Sequence, residues 1–323
     1  MSLSFIQTTS AFVITLLALA TPNCATAQSA AVLSGAGYSE AAPPEVAPGQ
    51  VTTLFFHGIP AAGQTLRSAN AAGVPLPVML AGIALHISQG KASYAVPLFS
   101  VRQNNECAGQ SATPDCLNTA IRVQIPYELS LAPADAAAQL LLEVDGRPSR
   151  PFPVRPAVSN AHVLTSCDAA WDTGYSSTCN RSAFHGDGRP VDASAPALPG
   201  ETVIVYAYGL GPVFPDQASG TASTLAEIPQ SGVLRVWAEF RNTLLNASPS
   251  VPRYFDSDAI NTPGAALQFA GLTPGQVGMY QLNLRVPQPF PVALPCGPEI
   301  HANAIALITT FRGTENVPLC VQP

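Results

Sequence analysis

The residues with chemical capacity fall into a few short constellations. Asp172-Thr173-Gly174 matches the triplet of aspartic proteases, whose chemistry needs two carboxylates sharing one proton. The chain carries one such triplet, and a second copy would have to supply the other. The triplet lies in the polar stretch WDTGYSS between Cys167 and Cys179 rather than after an apolar strand, which favours a disulfide-closed turn. Serine hydrolysis needs a nucleophile, a histidine and an orienting acid, and no GxSxG elbow occurs. The histidines are His57, His86, His162, His185 and His301; none has HExxH spacing and none pairs with another at i, i+4. Ordinary surface or hydrogen-bonded roles are the expectation for them.

Residues 185–192, HGDGRPVD, form a glycine-spaced acidic turn. Calcium takes several oxygen ligands, and Asp187 with Asp192 supplies only a sparse set; Asp256-Ser257-Asp258 is equally sparse. Gly209-Leu210-Gly211-Pro212 breaks off at the proline and opens no helix that would cradle phosphate. No cofactor is expected. Among the aromatic residues, Trp171, Trp237, Tyr206, Tyr208, Phe214 and Tyr254 are candidates for sugar stacking or protein contact. In VLRVWAEF, Arg235, Trp237 and Glu239 share one strand face by period-two alternation. An exposed Trp between opposite charges suits a binding surface; Trp237 packed under a neighbouring loop is the competing expectation.

Composition limits the partners and the compartment. The chain has 323 residues, 47% hydrophobic and 11% charged, with 32 Pro, 24 Gly and a formal net charge of −6. Such a chain has ample length for a core and is too apolar for disorder. An acidic chain whose only lysine is Lys91 is a poor partner for nucleic acid. The apolar run 11–20 followed by Cys24-Ala25-Thr26-Ala27 has the layout of a secretory signal peptide cut after Ala27, although the first 27 residues lack Lys and Arg. The run is too short to span a bilayer as a helix, and no later segment reaches 18 uninterrupted apolar residues. The mature chain is therefore expected in the extracellular space or cell envelope, with no transmembrane segment. Six cysteines follow the leader, in three close sequence pairs: Cys107–Cys116, Cys167–Cys179 and Cys296–Cys320. No CxxC spacing favours zinc, so three local disulfides are the simplest pairing.

The elements that must position these residues are strands. Residues 28–45 are Ala-, Ser- and Pro-rich and read as a flexible leader. Short runs dense in β-branched and aromatic residues then recur at 51–56, 78–87, 93–101, 120–125, 139–144, 202–208, 233–240, 279–286 and 303–311. Pro, Gly, Asn and Asp bound nearly all of them, the pattern of an all-β sandwich. The run ADAAAQLLL at 134–142 has helical propensity but leads into a strand-then-turn signal and is assigned to strand. An internal repeat is visible: Val46-Ala47-Pro48-Gly49-Gln50 with the strand ending at Gly58 aligns with Ala197-Leu198-Pro199-Gly200-Glu201 and the strand ending at Gly209, 151 residues on. Each copy later holds a strand ending in proline, Ile121–Pro126 and Leu282–Pro287.

These residues carry a family resemblance. Ala197-Leu198-Pro199-Gly200-Glu201 through Tyr208-Gly209-Leu210-Gly211-Pro212-Val213 resembles the APGE…YGTGLGPV signature of the Solibacter-type secreted C-terminal domain of Acidobacteria. Residues 269–287, FAGLTPGQVGMYQLNLRVP, resemble that family's AGLAPGxVGLYQxNVxVP block, and Ile125-Pro126-Tyr127-Glu128 is similar to its VPYE element. Phe184-His185-Gly186-Asp187-Gly188 resembles the NxDGS element between the halves. The resemblance covers 46–323 and implies immunoglobulin-like folds of the IPT/TIG type, secretion and a binding or scaffolding role, with no catalytic residues. The added cysteines depart from the family pattern.

The combined expectation is an all-β chain: signal peptide 1–27, leader 28–45, an Ig-like β-sandwich module at 46–160, an irregular disulfide-containing connector at 161–195 and a second such module at 196–323. Its expected role is a non-catalytic interaction or adhesion module for an extracellular protein or carbohydrate. The alternatives are an extracellular hydrolase or carbohydrate-active protein with a site in 161–196, and a structural spacer in an envelope assembly.

Overall fold

The computed structural model describes residues 31–37, 44–107, 109, 113–132, 137–165, 168, 181–228, 234–240, 267–286, 288, 294–297, 302–310 and 313–322. The fold is all-β: among the described residues the regular elements are strands, apart from one 3-10 turn at Pro114–Cys116. The first half carries β1 (Val32–Ala36), β2 (Glu45–Val46), β3 (Val51–His57), β4 (Ser68–Asn70), β5 (Met79–Leu80), β6 (Ile83–Gln89), β7 (Ala92–Ala95), β8 (Leu98–Asn105), β9 (Leu117–Gln124), β10 (Ala138–Val144), β11 (Arg147–Pro148) and β12 (Phe152–Pro156). One sheet runs β1-β3-β9-β8-β4 and the other β2-β12-β10-β6-β5, with β7 on β6 and β11 on β10. Alternation feeds both inner faces into one core: Leu54, Phe56, Val101 and Ile121 from the first sheet meet Leu85, Ile87, Leu140 and Leu142 from the second.

Local sequence explains how the chain passes between these sheets. The run expected as one strand at 78–87 is a hairpin, with Ala81 and Gly82 both at positive φ between β5 and β6. The run at 93–101 splits at Pro97, which has no N–H to give a ladder; β7 stays with β6, and β8 crosses to β9. Asp145-Gly146 makes the two-residue turn between β10 and β11, again with positive φ at both central positions. Arg67, 2% exposed, ties the two hairpin tips together: its guanidinium donates to Ala81 O, to Pro60 O and to both Asp145 carboxylate oxygens. Arg67 holds the Asp145 carboxyl below its usual range.

Two expectations need correction. The stretch 28–45, expected as a flexible leader, supplies β1, which pairs with β3, and β2, which pairs in parallel with β12. Ser34-Gly35-Ala36 has little strand propensity, but the open edge of β3 offers a row of backbone donors and acceptors that needs no particular side chain. The stretch 161–195, expected as an irregular connector, supplies β13 (His162–Val163) and β14 (Ala183–Phe184). Both pair with β15 (Thr202–Tyr208), so the second sandwich takes in part of that stretch.

The second half continues with β16 (Arg235–Phe240), β17 (Leu267–Leu272), β18 (Tyr280–Arg285), β19 (Ala304–Thr310) and β20 (Gly313–Leu319). One sheet runs β13-β15-β18-β17 and the other β16-β19-β20. Their shared core joins Val203, Val205, Leu282 and Leu284 to Val236, Ala306, Ile308 and Val317. Cys107–Cys116 and Cys296–Cys320 are disulfide-bonded as expected, whereas Cys167 and Cys179 lie outside the described residues.

The sequence repeat has a structural counterpart. In each half its two landmarks are hydrogen-bonded neighbours: β3 pairs with β9, and β15 with β18. The Pro-Gly turns match atom for atom. Gly49 N donates to Ile125 O and Ile125 N to Gln50 O; Gly200 N donates to Val286 O and Val286 N to Glu201 O. The side chain of Gln50 accepts from Ala47 N, and that of Glu201 from Leu198 N. Gly49 and Gly200 sit at φ +73° and +83°, where a β-carbon is strained.

Candidate functional site

The residues singled out for chemistry are mostly engaged in local structure. His185 is buried between two acceptors, Glu201 Oε1 at 2.6 Å from Nδ1 and Ala195 O at 3.0 Å from Nε2. Burial disfavours its charge, but these acceptors and the Glu201 carboxylate outweigh it and raise its pKa. Asp187 accepts from the Arg189 N–H and Nε, which hold it below the usual carboxylate range. Asp192 caps Ser194 and Ala195. The two candidate calcium ligands therefore face separate local donors, and no group of three metal-ligating side chains occurs among the described residues.

His162 Nε2 lies 3.1 and 3.0 Å from the two Asp168 oxygens. Burial pushes the Asp168 carboxyl up, but His162 and the Thr165 N–H and hydroxyl bring it down to about 2. His57 meets Glu106 at 3.2 Å. β16 places Arg235, Trp237 and Glu239 opposite Thr309, Leu307 and Ile305 of β19, and the side chains of these three fall outside the described residues. Asp172, Trp171, Tyr254, His301 and 256–258 also lie outside them. Of the other aromatic candidates, Tyr206 stacks obliquely on Phe184 at 5.8 Å and Tyr208 is buried, whereas Phe214 is 74% exposed.

The feature that sequence reading missed is the seam between the sandwiches. Arg122 on β9 donates to the Tyr208 hydroxyl of β15 at 2.8 Å, and its guanidinium lies 5.4 Å from the Phe99 ring centre and 5.7 Å from that of Tyr208. Burial raises the Tyr208 phenol pKa, with the Arg122 charge opposing. Asn160 N donates to Gly209 O, and the Tyr280 hydroxyl, buried near Tyr127, donates to Gly211 O. Tyr127 belongs to the first half yet packs on the core of the second.

The loop 214–227 completes the seam. Its ends are pinned by reciprocal Phe214 and Glu227 backbone hydrogen bonds of 2.8 and 2.9 Å, and Gln217 bonds across it to Thr224. Its tip docks on the first sandwich: Gly220 N donates to Gln124 Oε1, Tyr127 N to Ser219 Oγ, and Ser219 Oγ to Glu128. Leu76 N donates to Gly220 O at 2.7 Å, joining this loop to the one before β5. The loop is thus held by hydrogen bonds at its ends, across its middle and at its tip.

These two joined loops, with the first residue of β5, leave large apolar side chains in solvent: Phe214 at 74%, Leu225 at 62%, Val74 at 51% and Val78 at 49% on the loops, and Met79 at 55% on β5. Asp216 and Glu227 on the loop 214–227, and Glu128 at its tip, are exposed as well. A position such as Phe214 is visible in sequence only as an aromatic next to Pro215; its exposure depends on how the loop docks.

No family model matches the chain, and no curated protein matches it. Among solved structures it is similar to the adhesin InvE of Yersinia pseudotuberculosis, at 14% identity and a TM-score of 0.21. The match takes in 91% of this chain and 59% of that one, an overlap too slight to define a shared fold.

Proposed function

We propose that the chain is an exported, non-catalytic interaction module that holds two Ig-like sandwiches as one unit and binds an extracellular partner through the loops at their seam. The observation that carries this reading is the set of exposed apolar side chains Phe214, Leu225, Val74 and Val78 on the loops and Met79 at the start of β5. Export is supported by disulfides that close short local loops, which persist in oxidising compartments, and by the leader pattern. No helix among the described residues is long and apolar enough to cross a membrane. Membership of the Solibacter-type secreted family, with its IPT/TIG-like fold, belongs to this same reading and is supported by the paired landmarks of the two halves.

The test is affinity capture from envelope and extracellular material with the mature chain, compared with a Phe214→Ser, Leu225→Ser variant that retains the native unfolding transition. A retained species that disappears with the variant supports the reading. A retained set identical for both chains, or none for either, overturns it.

A second reading, an extracellular hydrolase or carbohydrate-active protein, has one observation behind it: the buried His162–Asp168 pair has the geometry of a base and its orienting acid. Turnover in a broad esterase, glycosidase and protease screen that His162→Ala abolishes would favour it; no turnover retires it.

A further inference from the structure

The chemistry around the seam loops specifies what they take. We infer that this surface recognises a cationic polypeptide segment carrying apolar side chains, an inference that rests on the interaction-module reading above. The apolar component comes from Phe214 and Leu225 on one loop and Val74 and Val78 on the other, joined through the Leu76–Gly220 hydrogen bond, with Met79 at the start of β5. Covering such side chains favours a partner that can desolvate them with its own apolar groups.

The charged side chains of the loop 214–227 have one sign. The loop 214–227 carries Asp216 and Glu227, and Glu128 is bound to its tip through Ser219. Between Asp192 and Leu234 the sequence has no Lys or Arg, and 68–90 contains no charged residue at all. Among the described residues the ion pairs lie elsewhere, at Glu45, Glu106, Asp145, Asp168, Asp187, Glu201 and Glu315. Asp216 and Glu227 thus share a loop with the exposed Phe214 and Leu225 and enter none of these ion pairs, and neither does Glu128, which is held at the loop's tip. A partner's Lys or Arg meeting them gains steering and register, and an acidic partner is repelled.

The same charges argue against other occupants. A second copy would place the identical patch opposite itself across a two-fold axis, bringing Asp216 and Glu227 towards their own counterparts on a chain of net charge −6. A carbohydrate would seek flat aromatic platforms, and the patch is mostly aliphatic with one exposed ring, Phe214. The size of the electrostatic part is modest, because exposed pairs each contribute little and are screened by salt. It selects among partners that the apolar contacts hold.

The experiment titrates the mature chain with three short labelled peptides that alternate leucine with lysine, glutamine or glutamate. The lysine peptide is expected to bind tightest and to weaken with added salt. Asp216→Asn with Glu227→Gln should lower its affinity about three- to tenfold while leaving the glutamine peptide unchanged. Phe214→Ser with Leu225→Ser should lower it about thirtyfold. A lysine-peptide affinity that the carboxylate variant does not change, or equal binding of all three peptides, overturns the inference. Concentration-dependent dimerisation lost in the Phe214→Ser, Leu225→Ser variant would instead identify a second copy as the occupant and overturn it too. Envelope capture separates this failure from that of the module reading. A Phe214-dependent partner held without salt sensitivity leaves the module standing and removes the cationic partner. Absence of any Phe214-dependent binding removes both.

Discussion

At the residue scale, the titratable groups stabilise the second sandwich, and their pH signatures have opposite signs. Asp168 has its carboxyl depressed to about 2, so its contribution is present above the ordinary carboxylate range near 3.8 and fades as pH falls towards about 2. Asp168→Asn should cost about 2 kcal/mol at neutral pH and nothing below that window, as read from urea unfolding across pH. His185 has a raised pKa, so its contribution is complete below 6.5 and is lost as pH rises through the higher folded-state value. His185→Gln should therefore destabilise the chain in mildly acidic buffer and flatten the decline of stability with rising pH. Equal pH slopes for the two chains would show that the Glu201 contact contributes nothing. Neither pair was legible in sequence. His185 and Glu201 are 16 residues apart and approach only because β14 pairs with β15 and the Pro-Gly turn aims Glu201 back at it.

At the element scale, the turns and strand phases were the readable part. Gly49 and Gly200 end the same Pro-Gly turn in the two halves, and the turn residues specify their backbone locally. The consequence of changing them differs, because their neighbours differ. A β-carbon at Gly49 would collide with the Tyr127 ring, which is wedged against the second core; one at Gly200 meets the movable end of Gln288. Gly200→Ala should cost about 1 kcal/mol from backbone strain, and Gly49→Ala clearly more, in thermal unfolding. Equal costs would place Tyr127 outside the energetics of the seam. The disulfides add at this scale: Cys296–Cys320 ties the end of β20 to the chain before β19, and replacing both with Ser should lower stability by about 3 kcal/mol through the unfolded chain. What sequence could not show was β1, whose Ser34-Gly35-Ala36 has little strand propensity yet pairs with β3 through its backbone and the Ser34 hydroxyl, and the break at Pro97, whose effect is to change sheets.

At the scale of the whole molecule, the repeat predicted two sandwiches but carried no sign of how they meet. Their junction depends on contacts between residues 86 to 96 positions apart, such as Arg122–Tyr208, Tyr127–Ser219 and Gln124–Gly220. No local period or spacing encodes such pairings. The seam contacts are expected to couple the two cores: calorimetry of the intact chain should show a single transition, and Arg122→Ala, which empties the space between Phe99 and Tyr208, should split it into two. The seam also creates the surface, because the loop 214–227 exposes Phe214 and Leu225 while its tip is anchored on the first sandwich.

Whether these loops are where a partner binds is read out by photocrosslinking with a benzophenone side chain installed at position 214. A discrete crosslinked species is expected from position 214 and absent when the same probe replaces Lys91 on the β6–β7 turn. No crosslink from position 214, or the same products from both positions, would contradict that expectation.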